Sequence, residues 1–336
     1  MLLGIALTQH CNLRCPHCIR DDVTTPLWVE PSLVRRLVAD ARALFGDVRV
    51  SLTGGEPTIH PQWDEIVDGF AADMVSYRFV SNGWHMRRLM PSLDRYAPAH
   101  VRLSLSGGDD LVHDADRGQG SFRRVLLAVA LLTSRGIPTS LSLVVDRRSR
   151  HQLRQTADLA ESLGCVGLSI ILPQPVPGSV QRDSDLPPSE WRAVRDEVHA
   201  IAAEPGRRTP VRLDYGVPSE TEERTCDTFA RERIYVDAHG RLSLCCQLSE
   251  YGGGEGDVVA DLRNESLLDA WPRYLEMLDA QYERSRPAPD GGDEFDAFPC
   301  IRCARSMGKM EWIRAFPESP WAGAARDSGL VVIQRR

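Results

Sequence analysis

The sequence predicts an α/β fold: a parallel sheet with helices outside it, followed by a smaller unit built on a β-hairpin, a helix and clustered thiols. Three observations predict it. Strand-like apolar runs alternate strictly with amphipathic helix-like runs through about residue 175, the pattern of strand–helix–strand units. The motif-like polar residues fall at the ends of those strands, where parallel barrels gather their chemistry. Beyond residue 225 the character changes, and five of the nine cysteines, all in the second half of the chain, crowd around a hairpin and a late Cys-x2-Cys.

Residues 2–7 are apolar and read as the first strand. Pro31 to Phe45 follows with Leu33, Val34, Leu37, Val38, Ala41 and Leu44 near the helical period, and Gly46 stops it. The second strand ends at Thr53, and a helix over 62–70 comes next. The third strand, 77–80, ends in Ser81-Asn82-Gly83 and leads to a helix over 87–96. The fourth strand is 101–106. A helix runs from Ser121 to Arg135, with Gly136 placed just past its end. A strand at 139–145, a helix over 151–163 and a strand at 166–172 complete six units.

Proline-rich stretches at 173–177 and 186–188 mark an exit from this unit. A helix over 189–203 is expected, with Ser189 as its N-cap, and 211–214 is a strand that adds to the open edge. Residues 234–237 and 242–244 flank Ala238-His239-Gly240-Arg241, a hairpin with glycine at the tight turn. A helix over 266–278, interrupted by Pro272, precedes an acidic, glycine- and proline-rich loop at 287–296. The expected division is a core at 1–180, a connecting helix and strand at 181–224, a thiol-bearing domain at 225–320 and a tail at 321–336.

Composition narrows the classes. The chain has 336 residues, 42% hydrophobic and 26% charged, with a formal charge of −7. That leaves no basic footprint, so nucleic acid is not an expected partner. No apolar run reaches the ~18 residues of a membrane span, and no signal peptide is evident. Nine cysteines in such a chain point to metal ligation in a reducing, cytoplasmic setting rather than to disulfides.

The densest chemistry is Cys11-Asn12-Leu13-Arg14-Cys15-Pro16-His17-Cys18. Three thiols in one loop grip a metal cluster from one side and leave a position open, whereas structural zinc takes four protein ligands. A [4Fe–4S] cube held by three cysteines keeps one iron free for an external ligand. The spacing Cys-x3-Cys-x2-Cys, with His17 before the third thiol, resembles the signature of the radical S-adenosylmethionine (SAM) superfamily. Thr53-Gly54-Gly55-Glu56-Pro57 resembles that family's GGE motif. The resemblance implies a partial (β/α)6 barrel, a [4Fe–4S] cluster on Cys11, Cys15 and Cys18, and SAM on the open iron. It implies that Gly54, Gly55 and Glu56 bind the methionine amino group, the glycines letting backbone approach SAM. It also directs Ser81, Asn82, Ser104 and Ser106 to the ribose and carboxylate; read bare, Ser-Asn-Gly after a strand is equally a turn. The run from Leu105-Ser106 through His113-Asp114 to Arg117-Gly118 resembles a polar turn common in relatives that carry SPASM or twitch domains.

Cys226, Cys245, Cys300 and Cys303 suit a complete four-cysteine site, and their arrangement around the hairpin resembles a twitch domain. This implies one auxiliary [4Fe–4S] cluster; a zinc ribbon is the competing reading. Cys165 reads as a buried structural thiol. Cys246 points to the opposite face from Cys245 and is a ligand in its place, a hydrogen-atom donor, or a bystander.

The resemblance implies reductive cleavage of SAM, with a flavodoxin- or ferredoxin-type electron donor, and hydrogen abstraction from the substrate. A fully ligated second cluster suits electron transfer, so dehydrogenation of a sugar alcohol in an aminoglycoside-like natural product is expected; an acidic protein tolerates a polycation. Only ten residues precede Cys11, so the leader-binding domain of many peptide-modifying relatives is not expected ahead of it. The alternatives are a radical epimerase with Cys246 as donor, a maturase of a ribosomally made peptide, and a non-catalytic iron–sulfur carrier.

Overall fold

In the computed structural model, which describes residues 1–20, 24, 26–217, 226–287 and 292–325, the alternation becomes a single sheet. β1 (Leu2–Ala6), β2 (Arg49–Thr53), β3 (Tyr77–Ser81), β4 (His100–Leu105), β5 (Thr139–Val144), β6 (Gly167–Ile171) and β7 (Val211–Leu213) lie side by side in chain order, each neighbouring pair parallel. The connections carry α1 (Pro31–Phe45), α2 (Trp63–Ala72), α3 (Met86–Arg95), α4 (Asp110–Arg117), α5 (Ser121–Thr133) and α6 (Leu153–Ser162). Right-handed crossovers in a steady direction place such helices on one face.

The strands alternate accordingly. Leu3, Ile5, Val50, Leu52, Phe79, Val101, Leu103, Leu105, Leu141, Leu143, Leu168 and Ile170 belong to the main core and are at most 1% exposed. The residues between them, including Gly4, Ser51, Arg78, Arg102, Ser104, Ser142 and Ser169, share the other face by strand register. A parallel sheet covered by helices on both sides is apolar on both. This one is polar on its second face, which therefore borders a polar space.

The sheet continues on the far side of β1. β8 (Arg233–Val236) pairs parallel to it, then β9 (Arg241–Ser243) and β10 (Val258–Asp261) follow antiparallel, giving ten strands with no closure between β10 and β7. Gly240, at φ +74°, makes the β8–β9 turn. The remaining helices are α7 (Pro177–Gln181), α8 (Pro188–Ala202), α9 (Leu267–Arg284) and α10 (Pro299–Ser306), with α9 packed on α1, β9 and β10. Among the described residues no helix is long and apolar enough to cross a membrane.

Three details differ from expectation. Ser189 does not cap α8: Pro187 holds the cap and Pro188 the first helical position, where its fixed φ is already helical. α9 runs through Pro272 to Arg284. Burial of Leu267, Ala270, Tyr274, Leu278 and Gln281 along one stripe outweighs one missing backbone hydrogen bond. α4 stands where a polar turn was expected, started by Asp109, whose Oδ1 accepts from Val112 N–H at 3.0 Å. The strand at 211–214 does extend the edge, beside β6. Parts of the expected connecting segment (218–224), acidic loop (288–291) and tail (326–336) lie outside the described residues.

Candidate active site

The loop after β1 carries Cys11, Cys15 and Cys18, and the loop after β2 is clamped onto it. Gly55 N–H donates to Thr8 O at 2.7 Å and Glu56 N–H to His10 O at 2.9 Å. Gly54 sits at φ +133°, and a Cβ on it would meet the Thr8 backbone; one on Gly55 would meet the carbonyls of Gln9 and His10. What the two glycines admit is therefore the backbone that leads into Cys11. Sequence reasoning assigned that close approach to SAM and missed Thr8, whose Oγ1 also accepts from His10 N–H at 2.9 Å and donates to Leu27 O.

Glu56 is 1% exposed and turned into the protein. Oε1 accepts from Thr58 N–H at 3.2 Å and from the hydroxyls of Thr58 and Ser81, and Oε2 accepts from Asn82 N–H at 2.7 Å. Burial raises its carboxyl above the usual range, against those hydrogen bonds. These bonds give Glu56 a positioning role toward Thr58, Ser81 and Asn82, and they use part of the acceptor capacity of its carboxylate. Ser81, 2% exposed, is spent on Glu56 and on Gly83 N–H. Asn82 reaches the thiol loop itself, its Nδ2 lying 2.9 Å from Asn12 Oδ1 and 3.9 Å from Cys11 Sγ.

Ser106 is likewise buried, its hydroxyl accepting from Arg117 Nε at 2.7 Å and its N–H donating to His113 Nδ1 at 3.3 Å. Ser104 differs: it stays half-buried on the polar face beside Ser142. α4 supports the thiol loop from below. Arg117 Nη2 is 3.5 Å from His17 Nε2, and His17 Nδ1 is 3.8 Å from Asp116 Oδ2. Burial lowers His17 and keeps it neutral. Asp114 in turn accepts from Gly120 N–H, Ser121 Oγ and Phe122 N–H, fixing the start of α5.

The three thiols fit a three-cysteine cluster. Burial pushes Cys11 up to about 12, with Cys15 and Cys18 adding to the rise, and raises Cys15 while Arg117 pulls it down. Such thiols are neutral until a metal takes their protons. Leu13 N–H at 3.4 Å and Asn82 Nδ2 supply donors to Cys11 sulfur, the second-sphere contacts that tune iron–sulfur clusters.

The second thiol set lines a cavity of about 940 Å³ bordered by β7 on one side and Arg233 of β8 on the other, with Cys226, Cys245, Cys246, Cys300 and Cys303 in its wall. Burial drives Cys245 and Cys300 well up and Cys303 to about 11, and the thiols reinforce one another. Beyond burial, Cys245 feels Cys246 first and then Cys303, Cys226 and Cys300. Cys246 faces Arg233, Asp214 and Arg20 and packs with Ala6, Tyr235 and Ala238 in a small cluster apart from the main core. Gln281 Nε2 lies 3.2 Å from Cys303 Sγ, and a Cβ on Gly216 would stand 3.6 Å from Cys300 Sγ. Among the described residues no three such side chains are grouped tightly enough for one ion; tetrahedral zinc needs sulfurs about 3.8 Å apart. Cys165 is buried in the core, as expected.

Comparison with known proteins agrees with this geometry. A profile of the radical SAM superfamily matches residues 5–160. The chain is 32% identical over 163 residues to mycofactocin maturase MftC of Mycobacterium tuberculosis, covering 47% of this chain and 41% of that protein, so it spans less than half of that relative. It is 30% identical over 255 residues to a probable GTP 3′,8-cyclase of Saccharolobus islandicus, covering 72% of this chain and 82% of the relative. The solved structure of native anSMEcpe with bound AdoMet and the Cp18Cys peptide superposes with a TM-score of 0.65 at 14% identity, over 93% of this chain and 97% of that one. With thiol loop, GGE loop and open α/β sheet all in place, the chain belongs to the radical SAM superfamily, whose cofactors are SAM and a [4Fe–4S] cluster.

Proposed function

We propose that this radical SAM enzyme oxidatively modifies a peptide, with Cys11, Cys15 and Cys18 holding the SAM-binding cluster and Cys226, Cys245, Cys300 and Cys303 holding an auxiliary [4Fe–4S] cluster. One observation carries the reading: Cys246, in the wall of the second thiol cavity, packs against Ala6 and Tyr235 of the polar sheet face. Ala6 ends the strand that leads into the first thiol loop. Both thiol sets therefore border one polar face, and a substrate lying on it meets both.

When bound, the SAM cluster supplies the electron that yields a 5′-deoxyadenosyl radical, which takes hydrogen from the substrate. Around it, Asn82 and Asn12 fix the thiol loop, Glu56 fixes Asn82, and Arg117 fixes Ser106 and His17. Ser104, half-buried on the polar face, is the serine best placed to meet SAM or substrate. A flavodoxin- or ferredoxin-type protein is the proposed electron donor. The printed names of the relatives support a peptide, one being a maturase and another a structure solved with a bound peptide. The expected aminoglycoside-like substrate has no counterpart in these comparisons, and the peptide alternative takes its place.

The test is anaerobic reconstitution and turnover. About eight irons per chain are expected by the two-cube count, and about four in the Cys11/Cys15/Cys18 triple alanine variant. With SAM, reductant and peptides encoded beside the gene, a peptide losing two hydrogens supports the reading. One cube with zinc, or SAM cleavage that no peptide enhances, overturns it. Epimerisation is a second reading, favoured by Cys246 lying on the polar face; deuterium from solvent at an inverted carbon of a redox-neutral product would select it.

A further inference from the structure

We infer that the polar face of the sheet binds an anionic group of the substrate, a carboxylate or phosphate, between Arg78 and Arg102. The inference deepens the peptide reading by giving the substrate a charge, and it rests on different residues from those that carry that reading. Register places Arg78 of β3 beside His100 and Arg102 of β4 beside Val80, so both arginines stand on the face turned away from the core. Arg49 opens β2 and Arg233 opens β8 on that same face. Among the described residues Arg233 is the one of the four with an acidic partner, Asp227 at 3.1 Å.

Two orphaned polar groups mark the same place. Ser140 lies opposite Arg102 in register, is 7% exposed, and its hydroxyl has no partner. Arg233 Nε is buried without one. Burial and the like charges of Arg233, Arg102 and Arg49 press Arg78 down to about 10. His100 is pressed to about 4 by burial, Arg102 and Arg78, so it stays neutral and adds only hydrogen-bonding capacity. Asp227 acts on Arg78 and Arg233, and Asp214 on Arg233, which leaves part of the gathered cation charge without a counter-charge; such an excess destabilises a fold and marks a candidate ligand site. Guanidinium is the side chain matched to carboxylate and phosphate.

The auxiliary thiolates are not that counter-charge. Cys246 and Cys226 act on Arg233, whereas the leading charges on Arg78 are Arg233, Arg102, Arg49 and Asp227. Four residues separate Arg78 from Asn82 at the thiol loop, about 13 Å of strand. An acidic side chain or a terminal carboxylate about four residues from the reacting carbon spans that distance in an extended peptide.

The experiment is thermal melting of the fully reconstituted, full-length protein at constant ionic strength. The probes are inorganic pyrophosphate, N-acetyl-Ala-Glu-Ala-amide and its glutamine counterpart. Wild type should be stabilised by an anionic probe, with a half-saturating concentration at least about tenfold lower than in Arg78→Gln or Arg102→Gln, and Arg78→Lys should recover part of the difference. Without probe, both glutamine variants should melt higher than wild type. Equal responses in wild type and variants, or glutamine variants that melt lower, overturn the inference. A response to the glutamate peptide and not to its glutamine counterpart assigns the carboxylate. A response to pyrophosphate alone keeps the anion site and removes the peptide reading.

Discussion

Asn82 donates its backbone N–H to the buried carboxylate of Glu56 at 2.7 Å, while its side-chain amide reaches Asn12 and Cys11. The chain from the GGE loop to the cluster loop therefore runs through Asn82. Glu56→Ala leaves the donors of Thr58, Ser81 and Asn82 facing a hole, and buried donors without acceptors cost about 1–3 kcal/mol each. The variant should lose about 3 kcal/mol or more of stability in anaerobic urea titration and should bind less iron in the first site. Glu56→Gln, which keeps an acceptor, should fall between. A stable Glu56→Ala with full iron and weakened SAM binding would return Glu56 to the role of a direct ligand.

Gly55→Ala should be more disruptive than Gly46→Ala. A methyl group at position 55 enters the carbonyls of Gln9 and His10, while one at 46 meets nothing within 4 Å. Gly46 sits at φ +72°, so its substitution costs about 1 kcal/mol of backbone strain. Gly55→Ala should fail to retain the first cluster while keeping about four auxiliary irons, which iron analysis and electron paramagnetic resonance would read.

Burial pulls the Asp114 carboxyl upward, but its bonds from Phe122, Gly120 and Ser121 outweigh it and hold the group below the usual carboxylate range. A depressed folded value means that its support is present above about pH 3.9, the unfolded value. That support is lost as pH falls through the folded one. Asp114→Asn should cost about 1 kcal/mol near neutral pH, and the gap to wild type should close in acid. Equal gaps at both pH values would mean that the ionised form is not what holds α5.

Arg117 places a cation beside Cys15 and His17. Arg117→Met should lower the reduction potential of the first cluster by on the order of tens of millivolts, since net charge and hydrogen bonding set that potential. Arg117→Lys should shift it less. Redox titration at the auxiliary site should show no change.

The thiol and GGE loops were legible because each is a short local pattern pinned to the end of a strand. What Glu56 does there was not legible, since its partners Thr58, Ser81 and Asn82 meet it only through packing of β2 against β3. α4 escaped notice for a related reason: its buried residues are His113, Asp116 and Arg117, so polar contacts rather than an apolar stripe hold it, and periodicity has nothing to report. Arg78 and Arg102 looked like ordinary strand residues. Only the register of β3 and β4 puts them on one face. The hairpin at Gly240 was readable from its turn, yet its pairing with β1 spans more than two hundred residues and leaves no local trace.

That pairing bears on the order in which the protein can be made. Leu2 waits for Arg233, and Ile5 for Val236, so during synthesis β1 is a bare edge strand until most of the chain has left the ribosome. An unpaired edge is a template for aggregation, and such exposure is a hazard of large domains that fold through intermediates. Among β1 to β6, the strand that leads into the cluster loop is thus the last to gain both neighbours. Iron delivered to a nascent chain would meet thiols on an unfinished sheet, which makes cluster loading after release the safer sequence of events for this topology.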